Sequence, residues 1–362
     1  MGKPDTASTD AAPQRLWFTR CPLPTASGVA LDTGLLEGAL AGIGHQALSI
    51  EQSGDPAAMH SHFTHATPRL FRQGGNIPPI WARSEGRDTA IVGIAWMPEY
   101  QAILALPESG IRSVADLKGA RLAVPVRSGG EIDFWQAMCL RGYQTALRTA
   151  GLELADAQLV RLPMPERYID PDSVKRESQA WMWAGAARMR RQQAELFALI
   201  RGQVDAIYAS GAQGLQLQAM LSAHVVIDLG FHPDPEVQIN NQVPNVLTVD
   251  GALCREQPEV VARYLNALQL AAQWASAHPR DARRTFASEV GAPEEWIAGA
   301  YGPSVNAGAL TLSLEPSWIE AVEAQKAFLL AHGFIRHDFN MAQWINPEPL
   351  EISRSLTAGT EQ

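Results

Sequence analysis

Cysteine is scarce. The 362 residues contain three, at positions 21, 139 and 254, too few and too scattered for a disulfide framework or a cysteine metal site. The odd count points to free thiols in a reducing compartment. Long apolar runs are also missing, so no membrane span is expected. The opening MGKPDTASTDAAPQ is polar and small and lacks the apolar segment of a secretion signal. Its Met-Gly start is read as incidental rather than as an acylation site. These absences lead to the expectation of a cytoplasmic protein. There is no basic block either. Twenty-nine Lys and Arg stand against 38 Asp and Glu, a net charge of -9, which argues against a nucleic-acid partner. The densest basic run, Arg188, Arg190 and Arg191, reads as a solvated helix face. No internal repeat is present.

What remains is ordinary globular composition, 46% hydrophobic and 19% charged, in a chain long enough for two lobes. RLWFTRCPL (15–23) reads as a strand, the stretch up to Gly44 as a helix, and HQALSIEQS (45–53) as a second strand. Such a β-α-β opening implies parallel strands and a right-handed crossover. TAIVGIAWM (89–97) and QAILALP (101–107) are further strands, and 113–152 is a second β-α unit. Strands follow at 157–165, within 195–211, at 224–230 and at 245–253, and helices fill most of the remainder. The predicted fold is α/β, two-lobed, with the ligand cleft between the lobes. Residues 1–14 form a disordered polar tail. Residues 15–115 plus 236–362 form a discontinuous first lobe, and 116–235 the second. Within the second lobe, the polar segment 164–192, with Pro165, Pro171, Trp181 and Trp183, is a candidate lid.

The chemistry concentrates in HSHFTHATPRLFRQGGNIPP (60–79), read as a loop running into a helix start. His60, His62 and His65 suggest a metal cluster, but no carboxylate or cysteine stands nearby at ligand spacing, so no metal is expected. Arg72 beside Gly74 and Gly75 suits an oxyanion: a guanidinium forks onto two oxygens, and glycine lets a backbone N–H approach. Sulfinate, sulfonate, phosphate and carboxylate all satisfy it. Arg69 is the reserve cation. Cys21 ends the first strand just before a helix, where a thiol faces the cleft and its pKa can fall below the usual ~8.5. His62, from the next βα loop, is placed to set that thiol's protonation state. Cys139 reads as core and Cys254 as the start of a surface segment. Ser128, Gly129 and Gly130 offer a second anion contact across the cleft, though a structural turn explains them equally. Trp135, Trp181 and Trp183 are candidate walls of an aryl pocket.

ADLKGARLAVP with GQVDAIYAS resembles the type II periplasmic-binding fold of sulfonate and thiamine-precursor receptors. CPLPTAS (21–27), HFTHATPRLFRQGGNIPP (62–79) and VIDLG (226–230) resemble the aryl-sulfinate desulfinases of bacterial dibenzothiophene desulfurisation, which act on 2'-hydroxybiphenyl-2-sulfinate. The resemblance implies a cofactor-free hydrolysis of an aryl C–S bond with release of sulfite. Cys21, His62 and Arg72 would be catalytic, Cys21 either protonating the ring carbon or attacking sulfur. Arg72, Gly74, Gly75, His65, Ser128 and Trp135 would contact the substrate, an aromatic sulfinate or sulfonate-like anion, in a monomer. His65 replaces an aromatic residue of the family motif, and Arg20 replaces a small polar one, which implies altered aryl specificity. The alternative is a non-catalytic receptor for sulfonates or related anions, which leaves the cleft thiol unexplained. A thiamine-pyrimidine synthase is the third reading, but its cysteine-rich iron motif is missing.

Overall fold

A computed structural model describes residues 12–164, 168, 192–302 and 307–358. Most of the tail and all but Met164, Tyr168 and Gln192 of the candidate lid lie outside the described residues, as do Trp181, Trp183, Arg188, Arg190 and Arg191.

Two five-stranded sheets form the frame. The first has the order β2-β1-β3-β10-β4, from His45–Ser49, Gln14–Arg20, Leu70–Gly74, Asn245–Asp250 and Thr89–Ala95. The strands β2, β1 and β3 run parallel, and β10 lies antiparallel between β3 and β4. The second sheet has the order β7-β6-β8-β5-β9, from Gln158–Met164, Arg121–Arg127, Ala206–Ser210, Gln101–Ala105 and His224–Asp228. The chain therefore crosses between sheets twice, after Ala95 and again between Asp228 and Asn245. QAILALP, expected in the first lobe, forms β5 and pairs with β8 and β9 in the second sheet. Every residue of β5 is buried, and so is nearly all of β4. Two short apolar runs separated only by the segment around Pro98 do not declare which sheet each joins, because strands buried on both faces carry no alternation.

The histidine stretch is not a loop. Pro56–Thr64 forms helix α3, started by Asp55, whose side chain accepts from the Ala57 amide, with Pro56 in the first turn. It ends at His65, which takes the left-handed conformation at φ 51. Arg72 lies inside β3, paired in register with Thr19 of β1 and Thr248 of β10. Pro78 and Pro79 fall in the first turn of helix α4 (Ile77–Ser84), where a missing N–H costs nothing. The long helix Pro258–Ala277 buries Val261, Tyr264, Leu265, Leu268 and Ala272 at the spacing of one helical face. The Tyr264 ring stacks on Phe71 of β3 at 3.9 Å, which pins the strand carrying Arg72.

Candidate active site

Cys21 follows β1 directly, and Thr19 sits two residues earlier on the same side of the extended chain. His62 comes from the last turn of α3. The Cys21 Sγ lies 3.7 Å from His62 Nε2, while Thr19 Oγ1 lies 2.9 Å from His62 Nδ1. A thiol, an imidazole and a hydroxyl thus form a line in which each orients the next. Arg72 closes the group: its Nη2 donates to Cys21 Sγ at 3.4 Å. Cys21, His62 and Arg72 are 6%, 2% and 0% exposed, so their electrostatics act with little solvent screening.

The guanidinium is not the open fork the sequence suggested. Its Nε donates to the His62 carbonyl at 2.9 Å and its Nη1 to the Gly75 carbonyl at 2.8 Å. Only the Nη2 edge meets the thiol. Burial pulls Arg72 down from the usual guanidinium range, and the Cys21 sulfur beside it pulls it back up. Gly74 provides the room. A Cβ there would stand 2.4 Å from Cys21 Sγ, and φ is +154, so no other residue fits. A Cβ on Gly75 would meet the Asn241 side chain at 2.5 Å. Asn241 also accepts from the Asn76 and Ile77 amides at 2.7 and 2.9 Å, so the second crossover braces the turn after β3.

The three imidazoles of HSHFTH serve three partners. His60 Nδ1 lies 2.5 Å from Glu131 Oε1, linking α3 to the second lobe. His65 is buried, with Nε2 3.0 Å from Thr248 Oγ1, and burial followed by the charge of Arg72 lowers its pKa to about 3. Among the described residues, no group of three His, Cys, Asp or Glu is placed to share a metal ion. With its ring engaged between β10 and the Phe63 carbonyl, His65 belongs to the support of Arg72 rather than to a cleft wall. Arg69 immediately precedes β3, its backbone amide donating to Asp250 and its Nη2 to Gln257, at the end of the strand away from Cys21.

Ser128 and the two glycines after it line a small cavity of about 180 Å³ with Arg127 and Tyr168, but helix α5 begins only at Phe134 (Phe134–Thr149). Its start is already capped by Asp133, which accepts from the Gln136 amide. Trp135 turns into the second lobe and donates from Nε1 to Glu195. The other thiols stand apart: burial raises Cys139 well above the usual range and Cys254 to about 11.

Sequence reasoning passed over Thr19 and Asn241. The i, i+2 relation to Cys21 marks Thr19; no local signal marks Asn241. It also passed over an aromatic group joining the lobes beside His62, in which Phe134 stacks on Tyr168 at 4.3 Å and Phe63 lies 6.2 Å from Phe134.

A family described as NMT1/THI5 like matches residues 187–282. The 2'-hydroxybiphenyl-2-sulfinate desulfinase of Rhodococcus erythropolis is 26% identical over 370 residues, which span 97% of this chain and 96% of that protein. A solved structure of the desulfurization enzyme DSZB, a cysteine-to-serine mutant in complex with biphenyl-2-sulfinic acid, superposes with a TM-score of 0.73 at 25% identity, covering 95% of this chain and 99% of that one. The periplasmic aliphatic sulphonate binding protein SsuA from Escherichia coli superposes with a TM-score of 0.64 at 16% identity, over 92% of each chain. The chain is thus similar along nearly its whole length to the 2'-hydroxybiphenyl-2-sulfinate desulfinases, on the two-lobed fold it shares with periplasmic sulfonate-binding proteins.

Proposed function

We propose that this chain is a cofactor-free aryl sulfinate desulfinase that cleaves the C–S bond of a 2'-hydroxybiphenyl-2-sulfinate-like substrate and releases sulfite. The observation that carries the reading is the buried thiol in contact with both His62 Nε2 and Arg72 Nη2. A receptor for anions needs the cation but not a thiol paired to an imidazole.

In the reading we favour, the sulfinate lies over Cys21, with an oxygen near Arg72 Nη2 and the Gly75 amide. The Cys21 S–H gives its proton to the ring carbon bearing sulfur. The C–S electron pair returns to the ring, and sulfur departs as SO₂. Water adds to SO₂ to give bisulfite, and the released proton returns to the thiolate through His62. The net change is ArSO₂⁻ + H₂O → ArH + HSO₃⁻. Arg72 stabilises the thiolate left by the proton transfer, an electrostatic contribution of about 3 kcal/mol by comparison with single oxyanion-hole donors. In the competing route the thiolate attacks sulfur, the aryl carbon leaves and takes a proton, and water then cleaves a Cys21–SO₂ adduct. Mass spectrometry of acid-quenched enzyme separates the two, since only the second leaves Cys21 carrying SO₂.

The deciding test is incubation of purified protein with 2'-hydroxybiphenyl-2-sulfinate and assay of sulfite. Stoichiometric release of sulfite and 2-hydroxybiphenyl is expected. Saturable binding of the sulfinate or of an alkanesulfonate with no sulfite would overturn the enzyme in favour of a receptor.

A further inference from the structure

A sizeable cavity lies away from Cys21. About 860 Å³ opens between α5, the segment 234–239 of the second crossover, and the helix Pro316–Ala331. Trp96, in the first crossover, completes the wall, so both lobes and both crossovers contribute. None of Cys21, His62, Arg72 or Gly74 lines it. The volume is that of a drug-sized ligand site.

We infer that this cavity is a second binding site, for a small aromatic carboxylate, set at the hinge between the lobes. Two features fix the chemistry. Trp96 and Trp318 stand with ring centres 6.2 Å apart and planes inclined at 38°, and Trp96 is held by donating from Nε1 to Gln238 at 2.9 Å. Both rings are half-buried and present apolar faces to a flat ligand. The cation is Arg141. Its guanidinium lies over the Phe328 ring at 5.2 Å, and no carboxylate among the described residues comes within salt-bridge distance. Its Nε is buried without an acceptor. Burial first, then the charge of Arg148, pull Arg141 down to about 10 despite Glu236. An incoming anion would supply the missing counter-charge. The carboxylates of Asp234, Glu236 and Glu320 are solvent-exposed and are no substitute.

The site has a path to the chemistry. Gln238 and Ile239 of its wall run straight into Asn240 and Asn241, which accept from the Asn76 side chain and backbone. Asn76 follows Gly75, whose carbonyl holds Arg72.

The inference does not depend on desulfinase activity, and the test reads binding alone. 1-Naphthoate is titrated into the full chain by calorimetry. Saturable binding is expected, weakened at least tenfold, about 1.4 kcal/mol, by Arg141→Gln. Ala324→Phe, which fills the cavity without touching charge, should weaken it similarly, and thermal melting verifies that each variant is folded. Should Arg141→Gln not fold, Ala324→Phe and Trp318→Ala carry the test. Saturating biphenyl-2-sulfinic acid on a Cys21→Ser background should leave naphthoate binding saturable at one site per chain, because the two ligands bind at separate places. No saturable binding at about 1 mM probe, indifference to the folded variants, or competition by the sulfinate would each overturn the inference.

Discussion

Cys21 has no activating neighbour in sequence; its partners arrive from 41 and 51 residues away. Cys21→Ser should therefore abolish sulfite release while leaving the melting temperature near wild type. Cys139→Ser and Cys254→Ser should remain active, since both sulfurs lie outside the site and burial holds them protonated. Full activity in Cys21→Ser would remove the mechanism. Arg72→Lys keeps the charge but abandons two buried carbonyls, those of His62 and Gly75. Each unsatisfied group costs about 1–3 kcal/mol, so this variant should lose both activity and several degrees of melting temperature. Loss of substrate affinity alone, at unchanged stability, would show the open clamp instead. Thr19→Val removes the oxygen that meets His62 Nδ1 while keeping the shape. It should lower kcat about tenfold or more and displace the pH–rate profile, with KM little changed. An unmoved profile would reduce Thr19 to packing.

At the scale of elements, the turn leaving β3 decides how closely thiol and guanidinium approach. Gly74 is the element's narrowest point. Gly74→Ala sets a methyl 2.4 Å from Cys21 Sγ in a strand clamped on both sides, and should cost about 1–3 kcal/mol together with most of the activity. Gly86→Ala is the matched control: φ is +82, and nothing lies within 4 Å of its Cβ. It should cost about 1–2 kcal/mol through backbone strain and spare the rate. Equal effects on activity would deny Gly74 its special place. Helix α3 also repays comparison with the sequence. Its start signal, Asp55-Pro56, is local to the sequence, but three closely spaced histidines carry no apolar helical period. The helix disperses them: His60 reaches Glu131, His62 reaches Cys21, and His65, past the helix end, turns under the sheet.

At the scale of the molecule, two buried groups set opposing responses to pH. His65 has a native pKa of about 3 against an ordinary 6.5. The unfolded chain binds the extra proton between those values, so this stabilisation is present above pH 6.5 and is lost as pH falls toward 3. Glu195 has a native pKa of about 7 against 4.5, because burial outweighs the hydrogen bond from Trp135. Here the native state holds the extra proton, so stability is full below pH 4.5 and is lost as pH rises to 7. Between 4.5 and 6.5 the two slopes oppose each other. Denaturant melts of His65→Asn, which suits the left-handed backbone, should show stability falling with rising pH across that window. Glu195→Gln should show it rising. Parallel slopes in both variants would contradict the two assignments.

The sequence by itself determined the α/β alternation, the two-lobed similarity to sulfonate-binding and desulfinase chains, and the pairing of Cys21 with His62. Strand and helix periods are local, and the pairing is carried by the CPLPTAS and HFTHATPRLFRQGG motifs, although His62 reaches Cys21 from the last turn of a helix rather than from a βα loop. Only the tertiary structure decided the rest. β5 joins the second sheet, between β8 and β9, and its wholly buried run carries no alternation that names those partners. Arg72 became a buried support with one edge toward the thiol because a strand interior obliges it to satisfy neighbouring carbonyls, which no motif records. Asn241 meets Ile77 from 164 positions away, and the cavity brings Trp318 of a late helix against Trp96 of the first crossover. Their meeting is set by how the lobes and crossovers pack, a long-range outcome that local spacing does not encode.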